Sequence, residues 1–279
     1  MRTYLTVITT DDYAVGAVAL WESLRKTRPR HGLVVLITRL VSNECERALQ
    51  RAGLSTQRVD EHLERANAES SAFAHWNNTF SKLLIFDQAQ YEKFVYLDSD
   101  MMVLRNLDHL FQMPHMSAMV ADRLMPGHES WVQLCSGLMV IEPQAGLAAA
   151  IMQYAPAVQK KMTSFSDQDL LHAHFPDWPS HPELQLEQTY GVFPGSLDRY
   201  LKRFGYNLNF ASPDERTMAV VHFVGSRKPW SWSAPEKAYR LAGHMLRGQF
   251  AAVRMLREYL QLIRDARQKL QSSRVPQVS

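Results

Sequence analysis

FVYLDSDMMVL, residues 94–104, decides how the rest of the chain is read. Phe94, Val95, Tyr96 and Leu97 make a short apolar run of the kind found in buried strands, and it leads straight into Asp98 and Asp100 with only Ser99 between. Residues of a strand alternate sides. An Asp-x-Asp pair in extended conformation therefore aims both carboxylates the same way, toward the sheet edge where ligands collect in α/β folds. Two adjacent anionic groups repel unless a cation lies between them. Magnesium or manganese, held by a few carboxylates and the oxygens of a diphosphate, meets that need. The other reading of the triplet is a strand end entering a loop, where Asp is common as a turn or capping residue.

A chain of 279 residues has room for one large α/β domain or two small ones. Its 46% hydrophobic and 21% charged residues match an ordinary soluble globular protein. A net charge of +3 gives no whole-chain footprint for nucleic acid, so nucleic acid is not an expected partner, while phosphate-bearing substrates stay open. Cys45 and Cys135 are far apart and outside metal-ligand spacing, which fits reduced thiols better than a disulfide framework. The opening MRTYLTVITT enters a strand pattern directly, and no apolar run approaches the roughly 18 residues of a membrane span. The expected setting is cytoplasmic.

Upstream of the central stretch, residues 4–9 read as a strand, 13–26 as a helix preceded by the capping side chains of Thr10, Asp11 and Asp12, and 33–38 as a second strand. A helix over 42–52 ended by Gly53 and a strand over 55–60 follow. Strand, helix, strand, helix, strand predicts a parallel sheet with helices on both faces. Residues 66–78 are polar and aromatic, as in a loop over a site, and a helix over 79–90 carries Lys82, either solvated or phosphate-binding.

Downstream, strands are expected at 117–121 and 137–142, with Asp122 at a strand end as a turn carboxylate or a site residue, and a helix at 145–162. Asp167 and Gln168 then precede an apolar helical run that Ser166 or Asp167 can cap. Residues 176–216 read as a substrate-binding loop region, and 218–224 as a strand carrying His222. Beyond it come Gly225, Lys228, Pro229 and Trp230. A lone histidine is usually structural, but here a potential metal ligand, a close-approach glycine and a fixed cation lie together. The tail, residues 233–279, is a basic amphipathic helix or two. It suits packing against the domain first, and after that an anionic membrane surface, a partner or self-association.

TTDDYAVGA, FSKLLIF, YEKFVYLDSDMMVLRNLDHLF, CSGLMVIEP, FSDQDLLH, YN and VVHFVGSRKPW occur in an order and spacing that resembles the retaining glycosyltransferases related to glycogenin and galactinol synthase. The resemblance covers residues 3–232 and implies an α/β fold of GT-A type, a Rossmann-like mixed sheet flanked by helices, in residues 1–232, with a C-terminal helical extension in 233–279. It implies manganese-dependent transfer from a UDP-sugar to an acceptor hydroxyl with retention of configuration. Carried over by position, Asp98, Asp100 and His222 are the metal ligands, and Asp167 and Gln168 stand beside the anomeric carbon. Ile8, Thr10, Asp11, Tyr13 and Ser99 are the nucleoside contacts. Lys82, Ser136, Gly137, Gly225 and Lys228 meet the phosphates or donor sugar. Asp11 and Cys135 stand where the family commonly has Asn. The stretch after Asn207 has no tyrosine at the self-glucosylated position of glycogenin, which speaks against glycogen priming. The arginine that glycogenin places in the loop before the donor lysine is also missing, with His75, Trp76 and Asn77 nearby, so the donor sugar stays open.

Two other readings compete. A phosphatase of haloacid-dehalogenase type also uses Asp-x-Asp after a strand, with Asp98 as nucleophile. A non-catalytic scaffold would bind nucleotide-sugar or partners through the basic tail.

Overall fold

The computed structural model describes residues 1–59, 80–120, 127–162 and 165–272. The amino-terminal part alternates as the sequence predicts: β1 (Arg2–Ile8), α1 (Ala14–Lys26), β2 (Leu33–Ile37), α2 (Asn43–Arg51) and β3 (Ser55–Arg58). Ser42 caps α2 by accepting the Cys45 N–H at 3.0 Å. Next come β4 (Lys93–Leu97), β5 (Met101–Val103), β6 (Ala118–Val120) and β7 (Leu134–Ile141). The remaining elements are α3 (Leu147–Met152), α4 (Ala155–Lys161), α5 (Asp167–His174), β8 (Gln185–Leu186), α6 (Leu197–Phe204), β9 (Val220–His222), α7 (Ala234–Leu246) and α8 (Phe250–Ser272).

Seven strands form one sheet in the order β3-β2-β1-β4-β7-β6-β8, and β5 and β9 pair separately. The β1 to β3 pairs and β1 with β4 are parallel, whereas β7 runs antiparallel to both β4 and β6. The winding reverses between β1 and β4. That is the switch point where open α/β sheets bind ligands, and the Asp98 turn leaves the sheet there.

Side-chain alternation feeds two cores. Val95 and Leu97 join α1 and α8 on one face, through residues such as Val18, Leu20, Tyr259 and Ile263. Phe94 and Tyr96 join Leu83, Phe86, Ile151 and Leu170 on the other. The last helix is part of the first core: Tyr259 is fully buried, and its ring stacks on Phe223 at 4.0 Å between centroids. Packing against the domain thus accounts for the apolar face of α8.

Three expectations need correction. Instead of an α-helix over 79–90 there is a 3-10 segment, Ser81–Asp87, in which Leu83, Leu84, Ile85 and Phe86 are all buried. Four consecutive buried apolar residues cannot be served by one helical face, so this segment is packed on every side and not laid on the surface as an amphipathic helix. The helix expected at 145–162 is two, because Pro156 cannot continue the hydrogen bonding of α3 and instead opens α4. Residues 176–216 are not all loop, since α6 buries Leu197 and Tyr200. Residue 60, residues 66–78, which include His75, Trp76 and Asn77, and Asp122 lie outside the described residues.

Candidate active site

Asp98, Ser99 and Asp100 are not extended. They form a turn in which the Asp98 carbonyl accepts the Met101 N–H at 3.1 Å, and the chain departs as β5. The convergence of the two carboxylates therefore comes from the turn, not from strand alternation. β9 completes the cluster by pairing with β5 so that His222 stands opposite Met101, and the Phe223 N–H donates to the Asp100 carbonyl at 3.0 Å. Asp98, Asp100 and His222 each present a ligand atom, and these atoms all lie within 4.8 Å of one another. His222 Nε2 is 3.1 Å from Asp100 Oδ1 and 3.7 Å from Asp98 Oδ2. Gly137 makes room for the imidazole. A Cβ there would meet Met101 Cε at 2.6 Å and His222 Cε1 at 2.7 Å.

The electrostatics favour a cation. Burial opposes charge on His222, but the Asp100 carboxylate outweighs it and pushes the imidazole up to about 10. Burial also opposes charge on Asp100, yet His222 and Lys228 hold its carboxyl well below the usual range. Lys228 Nζ donates to Asp100 Oδ2 at 2.6 Å. The negative field that keeps a proton on His222 also attracts a divalent ion, and the two compete for the imidazole. Two hard carboxylates and one borderline nitrogen are a donor set suited to manganese or magnesium.

A second group sits on the Tyr96 side of the sheet. Lys82 Nζ lies 3.0 Å from Asp98 Oδ1, 3.4 Å from Asp167 Oδ2 and 3.1 Å from Ser136 Oγ. Burial disfavours its charge, but Asp167 and Asp98 override that and raise the ammonium above the ordinary lysine value. The Tyr96 hydroxyl donates to Asp98 Oδ1 at 2.7 Å. Burial, reinforced by Asp98, keeps that phenol protonated far above its ordinary value. At the start of α5, Ser166 and Asp169 form a reciprocal cap, so Asp167 and Gln168 are released from capping. Asp167 instead accepts the Ser136 hydroxyl at 2.8 Å, and Gln168 Oε1 accepts the Ser136 N–H at 3.0 Å. The sequence reading offered a cap or a functional role for this segment. Ser166 takes the first and leaves the second to its neighbours.

The two groups share a cleft of about 270 Å³ lined by Tyr13, Lys82, Asp98, Ser99, Asp100, Asp167 and Lys228, together with Val7, Thr9 and Tyr96, which the sequence reading did not single out. Tyr13 sits edge-on to Trp230 with ring centroids 5.8 Å apart. The Thr10 carbonyl accepts the Tyr13 N–H at 3.2 Å, at the entry to α1. Three expected nucleoside contacts, Ile8, Thr10 and Asp11, are outside the lining. Ile8 is fully buried with its carbonyl bonded to the Thr38 N–H at 3.3 Å, and the Asp11 carboxylate accepts the Ser42 N–H and hydroxyl at 2.8 and 2.7 Å. Gly225 lies in the exposed loop before Lys228 with φ at 138°, a conformation that favours glycine.

Residues 5–234 match the family described as glycosyl transferase family 8. The chain belongs to that family. Rabbit glycogenin-1 is 30% identical over 253 residues, 87% of this chain and 70% of that protein. A putative UDP-glucuronate:xylan alpha-glucuronosyltransferase 3 of Arabidopsis thaliana is 28% identical over 223 residues, 78% of this chain but 32% of its own length. The chain spans about a third of the xylan glucuronosyltransferases it matches. Among solved structures, the galactosyltransferase LgtC in complex with donor and acceptor sugar analogues aligns with a TM-score of 0.62 at 15% identity, over 95% of this chain and 96% of that one. The glycosyltransferase GlyE of Streptococcus pneumoniae TIGR4 aligns with a TM-score of 0.53 at 18% identity, over 100% and 66%. That likeness shows the fold: the mixed seven-stranded sheet with flanking helices is the GT-A arrangement, extended by the C-terminal helices.

Membership of glycosyl transferase family 8 leaves the rival readings without support. A haloacid-dehalogenase site places its Asp-x-Asp after the first strand, whereas here the motif follows β4 in the middle of the sheet. None of the described helices is long and apolar enough to cross a membrane.

Proposed function

We propose that this chain is a metal-dependent, retaining glycosyltransferase that moves a hexose from a UDP-sugar to an acceptor hydroxyl. The observation that carries the reading is the meeting, at one switch point, of a cation-binding cluster (Asp98, Asp100, His222) and a lysine-carboxylate group (Lys82, Asp167, Gln168). Asp98, Asp100 and His222 would hold manganese or magnesium, which would supply Lewis-acid charge toward the diphosphate. Tyr13, Thr10 and Ser99 stand at the nucleoside end. Lys228 and Lys82 bring positive charge to the phosphates as the bond to the anomeric carbon breaks, and such electrostatic stabilisation is commonly the largest catalytic term.

The acceptor oxygen forms its bond to the anomeric carbon on the face from which UDP leaves. The bond to the β-phosphate oxygen breaks, and that oxygen takes the acceptor proton. Asp167 and Gln168 steady the positive charge on the sugar. The Ser136 hydroxyl and Lys82 hold Asp167 through its Oδ2, which fixes the carboxylate in place for that role. Trapping a glycosyl adduct on Asp167 would replace this same-face route with a double displacement.

Incubation with a panel of UDP-hexoses and manganese, reading released UDP, tests the proposal without knowledge of the acceptor. Release from at least one donor, lost in Asp100→Asn, is expected. No release from any donor, or equal release by the variant, overturns it.

A further inference from the structure

A second cavity, of about 460 Å³, opens next to the metal cluster but outside the cleft described above. Its walls are Phe193, Phe223, Trp232 and Leu256, and Arg240, His244 and Arg247 enter it from α7 and the residue that follows that helix. No Asp or Glu is among the lining residues. Arg240 is tied to Glu236 at 3.1 Å and lies 4.2 Å from the centre of the Trp232 ring. Arg247 is different. Its hydrogen bond among the described residues is to Gln249 Oε1 at 3.2 Å, a neutral acceptor that leaves its charge uncompensated.

The cavity is close to the chemistry. The Phe193 ring is 6.0 Å from that of His222, and Phe223 and Val224 directly follow His222 in the chain. No residue lines both this cavity and the cleft between Lys82 and Lys228, so a donor diphosphate in the cleft leaves the cavity open to a second molecule beside His222. The volume falls in the range of small-molecule sites, with the usual mixture of aromatic wall and a few fixed polar groups. Guanidinium forks match the planar oxygens of phosphates and carboxylates.

We infer that this cavity holds the acceptor and selects one that carries a negative charge. The acceptor is a sugar bearing a phosphate or carboxylate group, its ring against Phe193 and its anion on Arg247 and Arg240. This inference rests on the glycosyltransferase reading above and names the acceptor class that the reading left open.

The test compares glucose with glucose 6-phosphate, and galactose with galactose 6-phosphate, by calorimetric binding to the manganese-loaded protein and by stimulation of UDP release. Each phosphosugar is expected to bind at least about tenfold tighter than its neutral counterpart. Arg247→Gln is expected to remove about tenfold of that preference and Arg247→Glu more, since a hydrogen bond to a charged group is worth that factor or more. Equal binding within both pairs, or a preference that survives in Arg247→Gln, overturns the inference. Sedimentation with phosphatidylglycerol vesicles separates a soluble or lipid-linked sugar from a bare lipid surface. If the substitutions abolish vesicle binding but leave the phosphosugar preference intact, Arg247 serves a surface and the inference also falls. Failure of every UDP-hexose to release UDP would count against the glycosyltransferase reading instead, and the binding comparison would still decide whether the cavity selects anions.

Discussion

Among the described residues, the switch point and the α1–α8 interface both bury charged groups, and they do so in opposite proportions. At the switch point one ammonium, Lys82, is shared by two carboxylates, Asp98 and Asp167. At the helix interface one carboxylate, Glu22 of α1, is shared by two cations, Arg25 at 2.6 Å and Lys269 of α8 at 2.6 Å. Buried ion pairs are weak sources of stability, because desolvation consumes much of the Coulomb gain. At the interface the single carboxylate has its partners on the two helices it joins, and it holds those helices together. The switch-point group sets Asp98, Asp100 and Asp167 against Lys82, Lys228 and a His222 that keeps its proton. An ion that takes the imidazole displaces that proton and supplies the charge it carried, so this group is built around an exchangeable cation and the interface is not. Substitutions at the first place should therefore read out in activity, and at the second in melting temperature.

The largest effect is expected from Asp100→Asn. It removes one ligand of the cluster and the partner of Lys228, so manganese-dependent UDP release should fall by about a hundredfold to a thousandfold. The manganese-induced rise in melting temperature should disappear with it. A variant that keeps both would break the contrast, because Asp100 would then be a structural acid like Glu22.

Lys82→Met should come next, lowering kcat by about a hundredfold through loss of the cation between Asp98 and Asp167. A kcat within about threefold of the wild type would put Lys82 among the structural charges. Gly137→Ala sharpens the contrast by leaving every charge in place. The added methyl would meet the His222 ring at 2.7 Å, and the imidazole must move away from Asp98 and Asp100. Manganese affinity should weaken by about tenfold, with a stability cost of about 1–3 kcal/mol from overpacking. Calorimetric titration with manganese checks the first and denaturant unfolding the second. An unchanged metal affinity would mean the ring yields in another direction.

Much of the switch-point region was legible in sequence, because an apolar strand that ends in two acids is a local signal. The pairing with His222 was legible only by resemblance. Gly225 and Lys228 mark the histidine locally as a candidate ligand, but nothing there names acids 122 positions away as its partners, and it is β5 and β9 that bring it to them. Tyr96 escaped notice for a different reason: in the run Phe94 to Leu97 a tyrosine looks like core. It is indeed core, 1% exposed, with only its hydroxyl reaching Asp98. The Asp98 turn was misread as extended because side-chain alternation describes a strand only while the strand lasts. The arginine-lined cavity was invisible for the converse reason. Arg240 and Arg247 sit in a basic helical tail whose charges looked solvated, and only the placement of α7 beside Phe193 and Phe223 gives them a common target.

The smallest effect belongs to the helix interface, and there pH separates it from the site. Burial alone would raise the Glu22 carboxyl, but its hydrogen bonds and charge contacts with Arg25 and Lys269 outweigh that and lower it below the ordinary value. A carboxyl held lower in the folded chain than in the unfolded one adds stability above the unfolded value of about 4.3 and loses it as pH falls through the folded value. Because Arg25 and Lys269 are partly exposed, the contribution is limited to about 1 kcal/mol. Glu22→Gln should thus lower the melting temperature by about 2–4 °C at pH 7 and leave UDP release at 25 °C nearly unchanged. The gap between variant and wild type should close as both are moved into acid below the unfolded value and through the lowered folded one, where the wild-type carboxyl takes up its proton. A gap that persists in acid would assign the loss to packing of α8 against α1 and not to the charge of Glu22.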